Sequence, residues 1–123
     1  MDSVVRILAV DNEPSVTLSL RYVFSGPQYE ITCVADGNAA LSRLEISADH
    51  YNVIIVDQKM PNLTGVELVR EIRQRRIDVQ ILVVSAHLSS DVREAYEDLN
   101  VRAMFPKPFN IEELRSAVDS LIT

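Results

Sequence analysis

Four apolar runs of this chain stop at a polar group with chemistry to offer. Val10 is followed by Asp11, Asn12 and Glu13, Val56 by Asp57, Val84 by Ser85, and Phe105 by Pro106, Lys107 and Pro108. A fifth run ends at Ala35 and Asp36. Any one of these residues could merely mark where an apolar run stops. Jointly they form a set. Carboxylates at close range repel one another unless a cation joins them. Hard oxygen ligands suit Mg²⁺, which takes one or two protein carboxylates alongside phosphate oxygens and water. A hydroxyl and an ammonium would hold the remaining phosphoryl oxygens. The reaction that fits is phosphoryl transfer to a carboxylate, with positioning and charge neutralisation supplying the rate.

These residues can meet only if the apolar runs are strands of one sheet, aligned so that their carboxyl ends share a rim. Strands are predicted at Val4 to Val10, Tyr29 to Val34, Val53 to Val56, Val79 to Val84 and Val101 to Phe105. Near-continuous apolarity in the first, third and fourth, interrupted only by Arg6 and Gln80, indicates cover on both faces, as in a parallel sheet. Helical segments alternate with them. Pro14 suits a first helical turn and precedes Val16, Leu20 and Val23 at core spacing. Gly37 to Glu45, Gly65 to Arg75 and Ser89 to Leu99 follow, with Ser89 or Ser90 as cap, and Asn110 with Glu113 resembles a capping box ahead of Leu114, Val118 and Leu121. The fold class is α/β, a doubly wound, five-stranded parallel sheet of (βα)5 type. In strand order 2-1-3-4-5, Asp11 and Asp57 lie on neighbouring strands.

Composition narrows the function classes. The 123 residues, 47% of them hydrophobic, predict one domain over residues 1–123, standing alone or cut from a longer chain. A net charge of −6 opposes direct nucleic-acid binding. The longest apolar run is too short to span a bilayer, and Asp2 stands where a signal peptide wants positive charge. A cytoplasmic location is expected. Cys33, the single cysteine, reads as a buried structural thiol.

Three segments, Val10-Asp11-Asn12-Glu13-Pro14, Asp57-Gln58-Lys59-Met60-Pro61 with Gly65, and Lys107-Pro108-Phe109, together with Ser85-Ala86, closely resemble the receiver domain of two-component response regulators. The likeness covers the whole chain and implies a flavodoxin-like receiver fold of the chemotaxis-regulator kind. It makes Asp57 the phosphoacceptor. Asp11, Asn12, Asp57 and the main-chain carbonyl of Lys59 would hold Mg²⁺. Ser85 matches the switch hydroxyl, Ala86 the small neighbour that admits phosphodonors, and Lys107 the lysine that pairs with a phosphoryl oxygen. The Lys107-Pro108 peptide bond matches one that is usually cis, and Gly65 would allow a tight start to the third helix. Implied partners are a histidine kinase or phosphotransfer protein, an output domain or downstream protein, and a homodimer through helix 4, strand 5 and helix 5.

Two positions depart from the family pattern. Asn12 replaces a metal-binding Asp, with Glu13 next in line to take a metal-bound water. Met104 stands where Tyr or Phe commonly turns inward as the partner of the switch hydroxyl, and Phe105 points to the opposite face. These departures leave open a phosphorylation-independent pseudo-receiver. A dehalogenase-type phosphatase would need a second Asp at Lys59, and flavodoxin-like cofactor binding would need a hydroxyl-rich loop after the first strand. His50 and His87 read as loop residues, and Arg70, Arg73, Arg75 and Arg76 complement the dipole of the third helix. Leu18 and Tyr22 lie opposite the core stripe of the first helix, as an apolar docking pair would.

Overall fold

A computed structural model describes residues 4–46 and 50–122, so Asp2 and Thr123 lie outside the described residues. Ten elements alternate without exception: β1 (Val5–Val10), α1 (Pro14–Val23), β2 (Tyr29–Val34), α2 (Gly37–Glu45), β3 (Val53–Val56), α3 (Gly65–Gln74), β4 (Gln80–Ser85), α4 (Ser90–Asp98), β5 (Ala103–Pro106) and α5 (Ile111–Ile122). All strand pairs are parallel, in the order β2-β1-β3-β4-β5. The expected elements are therefore all present, with small shifts at their ends. Val4 and Val79 fall outside their strands, and β5 starts at Ala103 rather than Val101. Ser85 pairs with Pro106, so the β4–β5 ladder runs one residue further toward the rim than apolarity alone indicates.

Side-chain alternation divides the interior into two layers. Ile54 and Val56 of β3 face α2, α3 and α4, in a cluster with Leu41, Leu68, Ile72 and Tyr96. Val53 and Ile55 face α1 and α5, among Leu20, Phe24, Leu114 and Val118. All four β3 residues are buried, which explains a strand with no polar alternation. Each such side chain contributes about 1.5–3 kcal/mol by leaving water, so Ile55→Ala would cost about 2–5 kcal/mol once its cavity is counted.

Local signals set the helix ends. Thr64 and Glu67 form a reciprocal capping box at the start of α3. Ser89, not Ser90, caps α4 by accepting from Val92 N–H at 3.3 Å, and Asn110 caps α5 by accepting from Glu113 N–H at 2.9 Å. Helices α3 and α4 close with left-handed residues, Arg76 (φ 56°) and Asn100 (φ 64°). In each, the next amide reaches back to the last turn: Ile77 N to Ile72 O at 3.1 Å and Val101 N to Tyr96 O at 2.9 Å. The arginines at the end of α3 also act as braces. Arg73 donates to Leu99 O at 2.9 Å, and Arg75 pairs with Glu71 and Glu45. Among the described residues no helix is long and apolar enough to cross a membrane.

Candidate functional site

The site lies at the carboxyl rim of the sheet, where strand order places β1 beside β3. Val10 pairs with Val56, and Asp57 N–H donates to Val10 O at 3.1 Å, so Asp11 and Asp57 leave their strands side by side. Both are buried, at 5% and 3% exposure. Glu13 joins them from the first loop: one carboxylate oxygen from each of Asp11, Glu13 and Asp57 falls within a 4.8 Å group. Asn12 is exposed.

Lys107 is the cation of this group. Its Nζ lies 2.7 Å from Asp11 Oδ2, 2.9 Å from Glu13 Oε1 and 3.4 Å from Asp57 Oδ2. The Lys107-Pro108 peptide bond is cis, as expected, and Lys107 N–H donates to Ser85 O at 3.1 Å. Burial alone would depress the ammonium, but its hydrogen bonds to Asp11 and Glu13 and the charges of Asp11 and Asp57 hold it above its ordinary value. Burial pushes the Asp11 carboxyl up, against the bonds from Lys107 and Glu13 N–H and with help from the Asp57 charge. Exposed Glu13 is held below the ordinary range by its bond to Lys107.

Ser85 is fully buried on the other side of Asp57. Its Oγ accepts from His87 N–H at 3.0 Å and from Gln58 N–H at 3.4 Å. Met104 pairs with Val83 in the ladder and packs on the α2–α3–α4 side, whereas Phe105 packs on the α1–α5 side, the opposition that strand alternation demands. Lys59 and Ala86 are exposed beside the site.

Gly65 starts α3 for a reason other than the one its position suggests. It has no positive φ. What it supplies is space: a Cβ there would meet Asp57 O at 2.6 Å and Gln58 Cα at 3.0 Å, and would collide with Tyr96 Oη. Tyr96 and Gln58 are the residues that sequence reasoning missed. Tyr96 is completely buried in α4, and its hydroxyl donates to Gln58 Oε1 at 2.6 Å. Burial, reinforced by the Asp57 charge, pushes the phenol well up, so it stays protonated. Helical spacing with Val92 and Leu99 marks Tyr96 as a core residue, but it does not reveal the partner.

The remaining expectations divide. His50 and His87 are exposed, as read. Cys33 is only half-buried, because β2 is an edge strand. Burial still raises its thiol, and Sγ lies 4.0 Å from Thr17 O. Leu18 and Tyr22 are 69% and 74% exposed. They line a groove of about 720 Å³ with Val16, Pro108, Phe109 and Ile111 that runs up to Glu13, Ala86 and Lys107.

Comparison with known proteins agrees with this geometry. The response regulator receiver domain family matches residues 7–119. The chain is 36% identical over 118 residues to Response regulator MprA of Mycolicibacterium vanbaalenii, and equally to that of Mycobacterium tuberculosis, covering 96% of this chain and 50% of each relative. It thus spans about half the length of the curated relatives it matches. Among solved structures, the receiver domain of Francisella response regulator 1452 superposes with a TM-score of 0.85 at 26% identity, covering 95% of both chains. Vibrio cholerae chemotaxis protein CheY4 does so with 0.86 at 26% identity, covering 97% of this chain and 99% of that one. A rim of buried acids with a lysine counter-ion, a matching fold and a family match over nearly the whole sequence place this chain in the response regulator receiver domain family, a signalling domain of two-component systems.

Proposed function

We propose that Asp57 accepts a phosphoryl group from a phosphohistidine of a histidine kinase or phosphotransfer protein. A carboxylate oxygen of Asp57 attacks phosphorus, the P–N bond to the donor imidazole breaks, and the departing imidazole takes up a proton. The observation that carries this reading is Asp57 itself, a carboxylate buried at 3% exposure whose Oδ1 makes no hydrogen bond among the described residues. An orphaned buried oxygen is costly unless a further ligand is meant to meet it. Lys107 Nζ, 3.4 Å from Oδ2, is placed to take one phosphoryl oxygen, and Ser85 another. The donor set fits Mg²⁺: Asp11, Asp57 and Glu13 offer oxygens within one small group, and Asn12 and the Lys59 carbonyl are the further ligands implied by family likeness. Bound there, Mg²⁺ neutralises charge on the phosphoryl oxygens.

The groove along Leu18 and Tyr22 ends at Lys107 and suits the donor protein. The phosphoryl group adds a charge of about −1.5 to −2 next to Ser85, which draws the switch hydroxyl. Met104 then repacks, and the face of α4, β5 and α5 passes the change to an output domain, a downstream protein or a second copy of the chain. The longer relatives, about twice this length, suit an output segment in the same protein. Incubation with acetyl phosphate and Mg²⁺, followed by intact-mass measurement, tests the reading. One phosphate should be added, and none in Asp57→Asn. Absence of label in the unsubstituted domain would favour the phosphorylation-independent alternative, and undiminished label in Asp57→Asn would move the acceptor elsewhere.

A further inference from the structure

Gln58, next to Asp57 in the chain, touches three elements at once. Its main-chain N–H donates to Ser85 Oγ at 3.4 Å. Its side-chain oxygen accepts from Val66 N–H at 3.0 Å, in the first turn of α3, and from the Tyr96 hydroxyl at 2.6 Å, in α4. Tyr96 has no solvent exposure, and a buried hydroxyl is costly to leave unpaired, so the bond is held by the core around it. The main chain of Tyr96 is held too, through Val101 N–H.

We infer that Gln58 is a positioning residue that carries the state of Asp57 to α4 through the hydroxyl of Tyr96. The inference rests on the phosphoacceptor reading. A phosphoryl group that draws Ser85 Oγ moves the atom to which Gln58 N–H donates, and the main chain of Gln58 follows. One carboxamide oxygen, clamped between an α3 amide and an α4 phenol, passes such a shift to the two helices. Close packing leaves no slack: a Cβ on Gly65 would meet the Tyr96 hydroxyl, Asp57 O and Gln58 Cα together, so all three crowd one small space. Met104 offers only non-directional packing to the same layer. The Gln58–Tyr96 bond is directional and therefore specifies where α4 sits.

The test compares amide NMR spectra of the domain with and without beryllofluoride and Mg²⁺, in the unsubstituted chain, Tyr96→Phe and Gln58→Met. Intact-mass labelling by acetyl phosphate is measured in parallel. In the unsubstituted chain the signals of residues 90–98 should shift on activation. In both variants those shifts should fall below half, those of Ser85 and Lys107 should persist, and labelling should stay within about twofold. The double variant should lose no more than either single one. Shifts of residues 90–98 at half or more of their original size in Tyr96→Phe would overturn the inference. Tyr96→Phe removes only the phenol oxygen and keeps the buried ring, so it keeps the test open if Gln58→Met does not fold. An unsubstituted chain that takes no phosphate would overturn the phosphoacceptor reading instead, and the inference with it.

Discussion

Lys107, at the far end of the sheet from β2, reaches across the ends of β4 and β3 to place its ammonium 2.7 Å from Asp11 Oδ2. One ammonium thereby balances carboxylates that would otherwise repel, and it competes with any metal for the same oxygens. Lys107→Gln should slow labelling of Asp57 by about 10²-fold, the usual cost of losing one donor to developing charge. The same variant should bind Mg²⁺ more tightly, because Asp11 and Glu13 lose their competing partner. Rapid labelling with weaker metal binding would contradict both halves.

Asp11 is the acid whose burial costs stability. Its carboxyl is held above the ordinary value of 3.8, chiefly by burial, so the folded state disfavours the ionised form. For a raised acid the penalty is absent below the ordinary value and develops as pH rises through the raised one. Asp11→Asn, measured without metal, should therefore melt higher at pH 7, by about 4 °C if ~1 kcal/mol is recovered in a domain of this size. The gain should shrink as pH falls toward 3.8. A variant that melts lower at pH 7 would show that the ion pair with Lys107 outweighs the burial.

Metal affinity should depend on Glu13 more than its exposure suggests, because its carboxylate is one of the three in the group. Glu13→Gln should weaken Mg²⁺ binding by about tenfold, the equivalent of ~1.4 kcal/mol. Asn12→Asp should strengthen it. Calorimetric titration of both variants checks the pair, and equal affinity in Asn12→Asp would mean that Glu13 already fills that ligand position.

Gly65→Ala should destabilise the fold by about 1–3 kcal/mol through overpacking, since the new Cβ meets main-chain atoms that have no room to give. Tyr96→Phe in the same chain should restore part of the loss, because one of the colliding atoms is the phenol oxygen. Chemical denaturation of the single and double variants measures this. An unaffected Gly65→Ala domain would refute the space argument.

Leu18 and Tyr22 project from α1 into the groove beside Lys107 without contributing to either core cluster. Their joint replacement by Ala should slow transfer from a donor protein by tenfold or more, as loss of an apolar anchor does. Labelling by acetyl phosphate should be unchanged. Equal loss with both donors would assign the pair to the fold instead.

The strands and the rim positions of Asp11 and Asp57 were legible because they rest on short-range rules, apolar runs and the polar residue that ends each one, while the strand order came from the family resemblance. Ser85 within β4 was not, because a ladder extends by pairing with Pro106, which apolarity does not encode. Glu13 reaching the acids depends on the path of one loop and one side chain. Gln58 meeting Tyr96 joins positions 38 residues apart. No periodicity signals that a phenol will donate to a carboxamide oxygen there. The role of Gly65 was legible as a requirement for glycine, but its cause lay in the crowding of Tyr96 and the main chain of Asp57 and Gln58 around it.

The two-layer interior has an evolutionary corollary. The groove proposed for the donor is lined by α1 and the start of α5, on one side of the sheet, while Tyr96, Met104 and α4 belong to the other. If the groove receives the donor as proposed, substitutions that retune the donor fall on the α1 side of the sheet, and those that retune α4 fall on the other. The strands, the rim residues and α5, which adjoins both the groove and the proposed output face, are common to both. Under that reading, donor specificity and the response of α4 would vary with different sets of residues, with Asp57 common to both.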